Sequence, residues 1–327
     1  MRLRFSASQN CNMRVCLLAR ARKLRNAGAL LLALATLAAA QFKPEVPSEQ
    51  PPTYSAKSTL VRLLVSVRDR NGGIVTDLNR NDFRVWDSGV PQELAVFERN
   101  TSLPLSVAIL LDTSGSTQIQ LRYEVNSVSK FLPALLDAGN PQDTFALFTF
   151  NWQISMEVNF SRSREQAERA LRALKGEGGT SLYDAIYLAS NTLAEREGRH
   201  VMVVITDGGD TTSYKRYEDA LTAAQKADAV VYPIVVIPIE GEAGRNLGGE
   251  HALATLAAST GGRIFYPSSY QELDTAFSQI LRELRTQYLL GYYPKNVPET
   301  PGVFHPVKVE AKGGAFRVIA RSGYYEP

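Results

Sequence analysis

Five oxygen-bearing side chains in this 327-residue sequence stand where loops could gather them round a single cation. Asp112, Ser114 and Ser116 lie in Asp112-Thr113-Ser114-Gly115-Ser116, directly after the apolar run 105–111 (LSVAILL). Thr180 lies in Gly178-Gly179-Thr180-Ser181, just ahead of a helical pattern. Asp207 lies in Thr206-Asp207-Gly208, just after the apolar run 201–205 (VMVVI). Two carboxylates and three hydroxyls, with no imidazole or thiol, form an all-oxygen set that suits Mg2+ or Mn2+. The same residues also have plainer roles. Ser116 could cap the helix that follows it, Ser181-x-x-Asp184 fits a capping box, and 207–210 could be a simple loop.

Ligands of an open α/β sheet bind beyond the carboxyl ends of its strands, so the three loops need such a sheet to hold them. The runs 105–111, 145–150, 201–205 and 230–239 are nearly continuous and apolar, as in strands covered on both faces. Between them apolar residues recur at helical spacing: Val125, Val128, Leu132 and Leu135; Ala167, Ala170, Leu171 and Leu174; Leu182, Ala185, Ile186, Ala189 and Leu193. Further helices are expected at 217–227, 250–259 and 270–285. The alternation predicts an α/β domain over 103–285, with a doubly wound, mostly parallel, Rossmann-like sheet. Residues 152–160 follow the second run too closely for a crossover helix and read as an antiparallel edge strand.

The flanks carry a different pattern. Val61, Leu63, Val65 and Val67 alternate with other residues, and Asn71-Gly72-Gly73 and Asp87-Ser88-Gly89 mark turns, the second between strands at 83–86 and 93–97. Towards the end, Tyr288-Leu289-Leu290 starts a strand and Val307 and Val309 alternate with Lys308 and Glu310. Lys312-Gly313-Gly314 then turns the chain into 316–320. Neither 56–100 nor 286–327 is long enough to bury a core of its own. The two are expected to pack together as one discontinuous antiparallel β module into which the α/β domain is inserted. No internal repeat is present.

Seven of the 36 Lys and Arg residues fall in the first 40 positions, which hold no acid. They precede an uncharged stretch, 27–40, that closes on Ala38-Ala39-Ala40, the pattern of a signal peptide over 1–40 and hence of export. A permanent span needs about 20 apolar residues, so the mature chain is expected to have no membrane span. Residues 41–55 (QFKPEVPSEQPPTYS) read as a Pro-rich linker. Both cysteines, Cys11 and Cys16, precede the apolar stretch, so cleavage leaves neither disulfides nor thiolate metal sites. Without the first 40 residues 29 basic stand against 33 acidic ones, which gives no argument for nucleic acid.

Asp112-x-Ser114-x-Ser116 followed by Thr180 and Asp207 resembles the metal-ion-dependent adhesion site of von Willebrand factor A (VWA) domains, with all five positions present. The resemblance covers about residues 103–285. The flanking unit (LVSVRDRNGGIVTDLNRNDFRVWDSGVPQELAVF) and the tail (YLLGYYP, then FRVIARSGYY) are similar to bacterial secreted proteins related to these domains. The resemblance implies that Ser114, Ser116 and Thr180 ligate Mg2+ or Mn2+ directly. Asp112 and Asp207 then act largely through water, or directly when no partner is bound. It further implies that a partner protein's Asp or Glu completes the coordination, in adhesion or surface assembly outside the cell. No enzyme activity is implied. The rival reading is a structural scaffold whose metal site stabilises the fold.

Enzymatic alternatives lack parts. Leu111-Asp112-x-Ser114 resembles the nucleophilic aspartate loop of haloacid-dehalogenase-like phosphatases, but Ser114 stands where their second acid belongs. A phosphatase-like hydrolase using Asp112 would therefore have no general acid. No G-x-S-x-G elbow exists, and Gly176-Glu177-Gly178-Gly179 fits neither a dinucleotide nor a Walker loop. His200, His251 and His305 read as surface or structural residues. The run 162–172 alternates Arg with Glu165 and Glu168 as a solvated helix face. Tyr292-Tyr293 and Tyr324-Tyr325 read as strand packing rather than a recognition surface.

Overall fold

Alternate residues of the run 105–111 face two different cores. Leu105, Val107, Ile109 and Leu111 pack with helices on one side of a central sheet, and Ala108 and Leu110 with helices on the other. That is why the run is apolar without interruption. The computed structural model describes residues 59–117, 120–236, 246–298 and 300–326. The expected export segment 1–40, the linker 41–55 and the end of the 230–239 run lie outside them. Among the described residues no helix is long and apolar enough to cross a membrane.

The described residues open with β1 (Val61–Arg68), β2 (Phe83–Asp87), β3 (Val90–Gln92) and β4 (Leu94–Glu98). The central part runs β5 (Leu105–Asp112), α1 (Leu121–Asp137), β6 (Thr144–Phe150), β7 (Ile154–Ser161), α2 (Arg164–Ala173) and α3 (Leu182–Ala194). It continues with β8 (Arg199–Thr206), α4 (Tyr217–Lys226), β9 (Ala229–Val235), α5 (Leu247–Thr260) and α6 (Tyr270–Arg285). Four strands follow: β10 (Tyr288–Tyr292), β11 (Phe304–Ala311), β12 (Arg317–Ile319) and β13 (Gly323–Tyr325).

The central sheet has the order β7-β6-β5-β8-β9. β5 pairs in parallel with β6 and β8, and β8 with β9, while β7 is the antiparallel edge. α1, α2 and α6 cover one face, α3, α4 and α5 the other. The fold is thus the expected α/β architecture, with a mixed central sheet of mostly parallel strands. Pro233 is tolerated in β9 because that strand lies at an edge, where its missing N–H breaks no ladder.

Two antiparallel sheets, β12-β1-β10-β4 and β13-β11-β2-β3, enclose a third core around Leu63, Val65, Val67, Leu78, Val85, Leu290 and Tyr292. Strands from the two ends of the chain pair directly: β1 with β10 from Val61–Tyr292 to Val65–Tyr288, and β2 with β11. Ser88 and Gly89 both have positive φ, the geometry of a two-residue hairpin turn. The strand expected at 93–97 is β4, but a further short strand, β3, precedes it directly after the turn. β3 stays with β2, whereas β4 crosses to β10, with Leu94 buried in the core at the switch.

Two expected caps differ in the structure. Ser116 lies in a 3-10 turn over Gly115–Thr117, and α1 begins only after Gln120, so Ser116 caps no helix. Ser181 does precede α3, but its hydroxyl bonds Thr212 Oγ1 at 2.8 Å and caps no backbone N–H. Asp184 instead accepts from the N–H groups of Tyr214 and Lys215, at 3.0 and 2.7 Å. Helix α5 starts three residues before the expected 250, because the Asn246 side chain caps Gly249 N–H at 2.9 Å.

Candidate metal centre

β5 and β8 are adjacent and parallel, with Leu111 opposite Ile205, so Thr206 faces Asp112 and Asp207 follows one residue beyond the end of β8. Asp112 is fully buried. Its Oδ1 accepts the Ser114 N–H at 2.9 Å and its Oδ2 the Thr206 hydroxyl at 2.6 Å. Burial raises the Asp112 carboxyl to about 6 and the charge of Asp207 adds to the rise, against the hydrogen bonds from Thr206 and Ser114. A divalent cation between the two carboxylates would relieve that repulsion, and the donor set is all oxygen; both fit Mg2+ or Mn2+.

The 113–117 loop is pinned at its far end. Thr117 Oγ1 donates within reach of the carbonyls of Asp112 (3.0 Å) and Ser114 (3.1 Å), which folds the loop back on the strand end. This brings Ser114 Oγ and Ser116 Oγ to 3.1 Å from each other. Ser114 is buried, Ser116 exposed and Asp207 partly exposed, so the hydroxyl cluster opens to solvent on one side.

The loop carrying Thr180 is laced to both neighbours. Gly115 N–H bonds the Gly178 carbonyl at 3.1 Å, and Glu177 N–H bonds that of Thr113 at 2.8 Å. On the other side Thr180 N–H donates to Thr211 Oγ1 at 2.8 Å, and its carbonyl accepts from Thr211 and Thr212 N–H at 2.8 and 3.1 Å. Gly178 has φ +76°, and a Cβ there would lie 2.3 Å from Trp152 Cδ1. A side chain would be strained by both conformation and contact. Backbone bonds thus draw together the three loops named from the sequence. Among the described residues no three His, Cys, Asp or Glu side chains close on one point, so any further ligands must be hydroxyls or water.

Asp210 Oδ1 is occupied by the hydroxyl of Ser213 and the N–H of Tyr183, and it ties the 207–216 loop to α3. Trp152 and Tyr214, on loops bonded to the Thr180 loop and to α3, are 54% and 97% exposed. The histidines do other work. His200 lies between the carbonyls of Ala227 and Arg196, at 2.5 and 2.9 Å. His305 is buried against Tyr324 and 3.4 Å from Asp87. Tyr292 and Tyr324 are buried and both donate to Asp87 Oδ2 at 2.8 Å, so packing claims them, while Tyr293 is exposed. Arg162, assigned to a solvated face, instead reaches the carbonyls of Asp143 and Leu136, at 2.6 and 3.0 Å.

The residue passed over in the sequence is Glu124. It sits in the first turn of α1 in the buried stripe Leu121, Glu124, Val128, Phe131, Leu132, Leu135, and is itself fully buried. Neither carboxylate oxygen has a hydrogen-bond partner among the described residues. Burial holds its carboxyl well above the usual range, and the charges of Asp112 and Asp207 push it the same way. A charged residue interrupting an apolar period was the available signal.

No curated protein matches the sequence. Among solved structures, the vWF domain of a type V pili tip protein from Porphyromonas gingivalis is similar at 14% identity, over 56% of this chain and 95% of that one, with TM-score 0.47. A conserved hypothetical protein from Bacteroides thetaiotaomicron is similar at 21% identity over 55% and 98%, with TM-score 0.45. A pilus adhesin from Lactobacillus rhamnosus GG, in an open conformation, is similar at 11% identity over 74% and 47%, with TM-score 0.47. The von Willebrand factor type A domain family matches residues 106–279, more than half of the sequence, and the chain belongs to that family.

Proposed function

We propose that this protein is exported and binds a protein partner through a divalent cation, in adhesion or surface assembly. Asp112, Ser114, Ser116, Thr180 and Asp207 would hold Mg2+ or Mn2+, and an Asp or Glu of the partner would complete the coordination. The bound cation supplies an electrophilic point that recognises a carboxylate. The chain supplies the rest: two aspartates at the ends of adjacent strands, a serine pair 3.1 Å apart, and the loop of Thr180 bonded to both. The observation that carries the reading is this lacing of three separate loops round buried Asp112 beside Asp207. Exposed Trp152 and Tyr214 suit a protein interface, since tryptophan and tyrosine buried at the centre of such a contact carry much of its binding energy.

Isothermal titration tests the site. Wild-type protein should bind Mg2+, while Asp112→Ala and Ser114→Ala should lose measurable binding with their circular dichroism intact. Undiminished binding in both variants would remove the assignment. Pull-down from the native extract tests the partner, since EDTA should release it. A scaffold with a merely stabilising metal would keep its partners in EDTA and only melt earlier.

A further inference from the structure

We infer that Glu124 is a positioning residue of the cation site, an outer carboxylate that would act on a bound cation through water. The inference rests on the proposed metal site and adds a residue to it. Three observations carry it.

The first is placement. Thr117 binds the carbonyls of Asp112 and Ser114, Gln120 N–H bonds the Thr117 carbonyl at 3.0 Å, and Glu124 N–H bonds that of Gln120 at 3.1 Å. Hydrogen bonds between described residues therefore link the hydroxyl loop to the turn of α1 that carries Glu124, on the sheet face where α1 packs.

The second is the unmet demand of the side chain. A fully buried carboxylate with both oxygens unpartnered is among the costliest groups a core can hold. Leucine would satisfy the stripe of α1, so packing gives no reason for a glutamate there.

The third is space. Glu124 lines a cavity of about 20 Å3 between the starts of α1 and α6, with Gln120, Tyr123, Val236, Ser269 and Leu273; none of the five proposed ligands lines it, so it offers room for water on the α6 side of the glutamate. Such a volume admits about one water molecule. The Gln120 side-chain oxygen is also buried without a partner, so a water there has acceptors waiting on two side chains. Among the described residues no three acidic or imidazole side chains close on one point, so the role inferred for Glu124 is through water and not direct ligation. Outer carboxylates of this kind orient ligands and add charge where neutral hydroxyls add none.

The test is Mg2+ titration calorimetry on the folded protein with Glu124→Gln and Glu124→Leu, beside wild type and Asp112→Ala. Gln keeps the shape and removes the charge, while Leu fills the apolar stripe and guards against a poorly folded first variant. Both should bind Mg2+ roughly 10- to 100-fold more weakly than wild type. The melting temperature in EDTA should hold for Gln and rise for Leu, and the gain on adding Mg2+ should shrink in both. If wild type and both variants bind Mg2+ equally, the role of Glu124 is overturned and the site stands. If wild type itself binds no Mg2+, the site is lost and this inference with it.

Discussion

Asp112 combines full burial with a neighbouring carboxylate just beyond the next strand, and the consequence is a measurable pH dependence. Its carboxyl, raised from the usual 3.8 to about 6, binds a proton more tightly in the folded than in the unfolded chain. Without metal this group therefore leaves stability untouched below about pH 4, lowers it progressively as the pH rises to about 6, and adds nothing further above. Bound Mg2+ would offset that loss. The difference in melting temperature between Mg2+ and EDTA should then widen from pH 5 to pH 7, and an equal difference at both pH values would argue against a cation beside Asp112. At the same scale, Asp87 is a fully buried carboxylate in the small sheets, held by two tyrosine hydroxyls and by Ser88 at 3.1 Å. Tyr292→Phe should lower stability by about 1–3 kcal/mol, read from urea or thermal melts, since it strips a partner from a buried charge.

The Thr180 loop shows what an element adds to its residues. Gly178 lets the chain take a left-handed turn under Trp152 while its carbonyl holds Gly115. Gly178→Ala should cost at least about 1–2 kcal/mol from the backbone alone, and it must also displace Trp152. A melting curve unchanged from wild type would show that the loop is softer than its contacts imply. Strands and helices were legible from sequence because both faces of β5, β6, β8 and β9 are covered, which leaves no polar alternation to confuse with loops. The approach of the three loops was legible because Asp112, Thr180 and Asp207 sit where strands end or helices begin. What escaped was tertiary. Ser181 and Asp184 look like a capping box locally, yet the 207–216 loop recruits both side chains from a distance. The start of α5 was hidden by Gly248 and Gly249, poor helix formers that Asn246 rescues. Glu124 was hidden because tracing apolar periodicity steps over a charge, although the charge was the informative residue.

Across the whole molecule, the α/β part is bound to the small sheets by an ion pair on buried Glu283 as well as by chain continuity. Glu283, near the end of α6, is fully buried and accepts from Arg68 of β1 at 2.6 Å, from Arg263 at 3.1 Å and from the Tyr232 hydroxyl at 3.2 Å. Within the α/β part, Arg285 ties the end of α6 to Asp143 and the Leu135 carbonyl, both at 2.8 Å. The backbone leaving the small sheets at Thr101 is hydrogen-bonded, at 3.2 Å, to the backbone returning at Gln287. The five-stranded lobe thus leaves and re-enters the small sheets at one place whose two sides touch, like the base of a hairpin enlarged by some 180 residues. It rests on them besides through the ion pair of Arg68 with Glu283 and the Ser322 N–H bond to the Ser259 carbonyl at 3.0 Å. A peptide of turn length could bridge the gap left by removing that lobe. A foreign lobe whose ends lie equally close could likewise be grafted there without rerouting any strand of the remaining sheets.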